Sequence, residues 1–130
     1  MKTKVTLLLY LSLTFTGYTY GKKVTEPGLT DYVRCAMLHR MMAASFSSRF
    51  GSGLESLQIV ETEKMQAFVK YSHELAEKDF PDEAKDIFND EWQFYLKDMF
   101  DQINRNYKNV SRLKYRYRER CAKLAENLPD

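Results

Sequence analysis

Cys35 and His39 stand four residues apart, a spacing at which a helix turns a thiol and an imidazole onto one face. Such a pair could supply two metal ligands, or a thiolate and its base. Two ligands do not make a metal site. Neither histidine completes the Glu-x-x-His pattern of a dinuclear bundle centre, because Ala36 stands three residues before His39 and Lys70 three before His73. Covalently attached c-type haem is excluded for want of Cys-x-x-Cys-His. Gly51-Ser52-Gly53 lacks the Gly-x-Ser-x-Gly spacing of a nucleophile elbow and reads as a flexible connection. A reactive thiolate at Cys35 requires that cysteine to be unpaired and partly exposed. Paired carboxylates do glycosidic chemistry only where a cleft holds them at a set distance, and the acids here fall mostly at helical surface spacing. The expectation is a chain that is not an enzyme and carries no metal or cofactor. His39 reads as a core-edge histidine and His73 as a solvent-facing one.

The most distinctive pattern is electrostatic. Residues 81–101 hold seven acids against Lys85 and Lys97, a local net of −5. Residues 102–130 hold eight bases against three acids, a local net of +5. Arg105, Lys108, Arg112, Arg116, Arg120 and Lys123 recur at steps of three and four, which on a helix is one basic stripe. Three uses compete for it. The first is a solvated face, partly neutralised by the acidic segment beside it in an antiparallel hairpin. The second is a docking strip for an acidic protein or an anionic envelope surface, since arginine forks suit carboxylates and phosphates. The third, nucleic acid, is disfavoured, because its binders carry a strong overall basic excess.

That excess is missing here. The full chain has 20 basic and 18 acidic residues, and two of the bases, Lys2 and Lys4, open the sequence. They precede the uncharged run Val5–Phe15 and the small residues Thr19 and Gly21. That order is the secretory pattern and predicts a cleaved signal peptide over 1–21. The run is too short for a span, which needs about 20 apolar residues, and the polar remainder offers no other. The predicted mature chain, 22–130, is one domain with 18 bases and 18 acids, exported to a periplasmic or extracellular space.

In such a compartment two cysteines read as a disulfide. Cys35 to Cys121 closes a loop of roughly 87 residues, which removes about 4–5 kcal/mol of unfolded-state freedom in the chain-entropy account.

Four amphipathic segments must position these groups. The first runs from Thr30, a candidate N-cap, with Tyr32, Cys35, Ala36, His39, Met42, Ala43, Phe46 and Phe50 on one face. Met37, Met41 and Met42 cluster within it, suited to plugging core gaps or to a sticky surface. The second spans Leu54 to Lys78 and carries Leu54, Leu57, Met65, Phe68, Val69, Leu75 and Ala76, an apolar line interrupted at Glu61. The third starts at Asp79-Phe80-Pro81-Asp82 and carries Ala84, Ile87, Phe88, Trp92, Tyr95, Leu96, Met99 and Ile103. Three asparagines in 104–109 predict a break. The fourth repeats Val110, Leu113, Tyr117, Cys121, Leu124 and Leu128. Asn109-Val110-Ser111 also matches a glycosylation acceptor.

A disulfide requires Cα atoms within about 7 Å, so the first and last helices must be neighbours. The predicted fold is therefore all-α, a small bundle of about four helices stapled first to last. The functional expectation is a non-catalytic exported protein that binds a macromolecular partner, as an inhibitor, immunity or envelope accessory factor does. The alternative is a carrier of a small apolar ligand in the bundle interior. An enclosed cavity favours the carrier; a packed core with an exposed basic or apolar patch favours the partner-binder.

Overall fold

The computed structural model describes residues 26–47 and 53–130. The expected signal peptide over 1–21, together with Phe50, Gly51 and Ser52, lies outside the described residues. The fold is all-α. Helix α1 is Leu29–Ser47, α2 is Glu55–Asp79, α3 is Ala84–Gln102 and α4 is Ser111–Ala125, with one 3-10 turn, Tyr107–Asn109, before α4. Among the described residues no helix is long and apolar enough to cross a membrane.

Helix α1 starts slightly earlier than its sequence suggests. Thr30, the expected N-cap, already lies inside the helix. The backbone N–H of Gly28 donates to the Asp31 carboxylate at 3.2 Å, so an acid in the first turn reaches back to an otherwise unpaired donor.

The single apolar face expected for α1 is too narrow. Cys35, Ala36, Met37 and Leu38 are all buried, and four consecutive residues at 100° each go nearly round the helix. Val33 and Met41 are buried as well. Helix α1 is the hub, with α2, α3 and α4 each packed against it. A helix that is apolar all round belongs inside. Met37 and Met41 fill the core, which settles their use, while Met42 sits at its edge.

Helix α2 makes the most extensive contact with α1 and buries Glu61, Phe68, Ser72 and Ala76. Its direction is opposite to that of α1: His39 meets Glu61, whereas Tyr32 meets Phe68 and Tyr71. Buried Ser72 is satisfied within the helix, its hydroxyl donating to the Phe68 carbonyl at 2.7 Å. Leu57, Ile59 and Val60 stay exposed, because the first turns of α2 have no helix in front of them among the described residues.

Helix α3 begins at Ala84, later than the proline signal implies. Residues 81–83 form a turn in which the Glu83 N–H donates to the Phe80 carbonyl at 3.0 Å. Phe88, Tyr95, Met99 and Ile103 bury the expected stripe. Arg34 ties α3 to α1, donating to the Tyr95 hydroxyl at 2.9 Å.

The break after α3 is real and asparagine-built. Asn104 and Arg105 both take φ of 54°, the left-handed region that asparagine tolerates better than most. The Asn106 side chain accepts the Lys108 N–H at 3.0 Å. The Asn109 amide donates to the Ile103 carbonyl at 2.9 Å, so the candidate glycosylation residue fastens the end of α3.

Helix α4 contributes Leu113, Cys121 and Leu124 to the core. Cys35 and Cys121 are bonded, with Cα atoms 5.4 Å apart. The first and last helices are stapled together.

Candidate functional site

Of the six stripe residues, Arg105 and Lys108 precede α4. The left-handed pair Asn104–Arg105 breaks the helical phase there, so the stripe is not one continuous face. Arg105 pairs with Asp101 at 3.4 Å, and only the backbone of Lys108 is engaged, by Asn106. On α4, Arg112 reaches toward the Gln102 carbonyl at 3.5 Å and Arg116 donates to the Gln102 side chain at 2.7 Å. These arginines cover the negative end of the α3 dipole. Arg120 is hydrogen-bonded to Asp31, and Lys123 pairs with Glu119 at 3.4 Å within α4.

The expected hairpin neutralisation is therefore narrow. Asp82, Glu83, Asp86, Asp90 and Glu91 make no ion pair with α4 among the described residues. The two helices approach only near their connection, since both are busy covering α1.

Two further cations of α4 lie on a different line. Lys114 and Arg118 enter no ion pair or side-chain hydrogen bond among the described residues. Tyr115 stands beside Lys114, 93% exposed. A phenol that open has no packing role in this fold.

Lys114 and Arg118 also border a cleft of about 540 Å³. Helices α2 and α4 barely touch each other, so a trough remains between them with α1 as its floor. Leu38, His39 and Met42 come from α1, and Ala67 and Phe68 from α2. Cys121, Ala122 and Ala125 come from α4, with Leu128 just beyond it. The cleft is open to solvent at the bundle surface and is not an enclosed interior cavity. The described core beneath it is packed, with Met37, Met41, Met99, Ile103 and Leu113 wholly buried.

Glu61 explains its own interruption of the α2 stripe. Its carboxylate lies 2.5 Å from His39 Nδ1 and 3.6 Å from Lys64 Nζ. Burial alone would raise the carboxyl pKa. The hydrogen bond and charge of His39, with Lys64 beside them, outweigh burial and hold it below the ordinary value. The His39 ring stacks on Phe68, centroids 5.6 Å apart. An imidazole–carboxylate pair can orient a proton but needs a nucleophile to act on. The nearby thiol is consumed, because Cys35 is in the disulfide.

Sequence reasoning named His39 and Glu61 separately and missed that they pair. The signal was there: two polar residues, each on an otherwise apolar helical line, in helices joined by a short connection. His73 is exposed as expected, and its ring stacks on Phe88 at 3.8 Å. No protein family, curated protein or solved structure matches this chain.

Proposed function

We propose that this chain is a non-catalytic, exported binding protein that captures an acidic protein partner on the outward face of α4. The observation that carries the reading is Tyr115, 93% exposed beside Lys114 and one turn from Arg118. Tyrosine and arginine are the side chains that most often anchor protein interfaces. Cations without internal partners favour a partner of opposite charge. The arginines of the original stripe serve the fold first, holding the end of α3 and Asp31, so they make a secondary rim to the surface.

The packed core favours this reading over a carrier with an interior ligand. The disulfide and the opening pattern of Lys2, Lys4 and the Val5–Phe15 run support export.

Affinity capture from the native compartment, with the captured protein then titrated against variants, tests the reading. Tyr115→Ala and the double variant Lys114→Glu, Arg118→Glu are expected to weaken binding at least tenfold, and added salt to weaken it further. Reversal of Arg112, Arg116 and Arg120 is expected to have the smaller effect. Capture that is indifferent to all of these substitutions contradicts the reading.

A further inference from the structure

The cleft between α2 and α4 is chemically graded along its length. Both walls run antiparallel to α1. For α2 this follows from the His39–Glu61 and Tyr32–Tyr71 contacts. For α4, Cys121 is bonded to Cys35, and Asn127, further along the chain, lies beside Tyr32, nearer the start of α1. The walls are therefore parallel to each other, and residues early in each helix lie at the same end of the trough. At that end stand Lys114 and Arg118, with Lys64, which pairs at 3.6 Å with the one carboxylate there, Glu61, itself also held by His39. At the other end stand Phe68, Ala122, Ala125 and Leu128, without a charge among them.

We infer that this cleft binds a free single-chain amphiphile with a carboxylate head, its head among Lys64, Lys114 and Arg118 and its acyl chain along the apolar end. Three features support that occupant. The volume, about 540 Å³, falls in the range of small-ligand sites. From Lys114 to Ala125 the wall is about 16 Å long at 1.5 Å per residue, room for an extended chain of medium length. The direction of the gradient is the third. An amphipathic helix changes character around its circumference and needs an apolar floor between charged rims along its whole length. A head-and-tail amphiphile changes from one end to the other, as this trough does.

The probe is dodecanoate below its aggregation concentration, titrated calorimetrically into the full disulfide-bonded chain beside dodecanol and butyrate. Saturable one-to-one binding of dodecanoate is expected, at least tenfold tighter than dodecanol, with butyrate undetectable. Lys114→Glu with Arg118→Glu is expected to cost dodecanoate at least tenfold and to leave dodecanol unchanged. Ala122→Trp, on an exposed helical position, fills the trough and is expected to abolish both; Ala125→Phe serves if that variant melts early.

Absence of saturation, equal affinity for acid and alcohol, or binding that survives both filling variants overturns the inference. So does an acidic amphipathic peptide that occupies the trough when dodecanoate does not. The partner reading fails separately, because it turns on Tyr115, which the filling variants leave in place.

Discussion

Helices α1 and α4 are covalently joined, yet they are held in the fold by different means. Ten of the nineteen residues of α1 are buried, spread over its whole circumference. Only three of the fifteen residues of α4 are buried, and one of those is the half-cystine. Packing secures α1, whereas α4 is a mostly solvated helix kept in place by a staple, two core leucines and a few arginine hydrogen bonds. An element with little buried area opens at low cost unless something else constrains it. The lesson is that this protein has spent its core on one helix and left another free to present side chains.

The largest expected effect is on the staple. Replacing Cys35 and Cys121 with serine is expected to cost about 3–5 kcal/mol, measured by urea unfolding against the oxidised protein. Next comes a core truncation in each helix. Met41→Ala, at a wholly buried position of α1, is expected to cost about 3 kcal/mol through the cavity it leaves. Leu124→Ala, one residue before the end of α4, is expected to cost roughly 1–2 kcal/mol because the cavity lies near the surface and can collapse or admit solvent. Equal costs would erase the distinction between the two helices.

The comparison with the sequence explains why that distinction was hard to foresee. Periodicity located all four helices, the break after Ile103 and the inward line of α3. It could not show that α1 has neighbours on three sides, because a stripe records one face, and Met37, Leu38 and Met41 fall off it. It overvalued Leu57, whose spacing is apolar but whose turn of helix projects past the core. The six-residue basic stripe assumed a helix that begins before Arg105; the left-handed backbone at Asn104 and Arg105 interrupts it. Lys114 and Arg118 lay outside that stripe and are the cations of α4 that enter no ion pair or side-chain hydrogen bond among the described residues. The Cys35–Cys121 bond, by contrast, was legible from count and compartment chemistry alone.

Smaller effects sharpen the edge where α1 meets α2. The Glu61 carboxyl is held below its ordinary pKa in the folded chain. Its ionised form therefore stabilises the fold fully above about pH 4.5, and that contribution is lost as the pH falls through the lowered folded value. Glu61→Gln is expected to flatten the stability profile across that acidic window, read as the thermal midpoint at each pH. A slope unchanged by the substitution would assign the acid sensitivity to other carboxylates. The smallest effect is expected from Arg120→Ala, whose pair with Asp31 is solvent-exposed on the arginine side and contributes less than about 1 kcal/mol.

The most direct measurement is site-resolved amide hydrogen exchange on the oxidised protein and on the same protein with its disulfide reduced. Protection in residues 111–125 is expected to collapse on reduction while the amides of α1 and of the paired part of α2 keep most of theirs. Simultaneous loss of protection in α1 and α4, or its retention in both, would contradict a fold built from a packed hub and a stapled presenting helix.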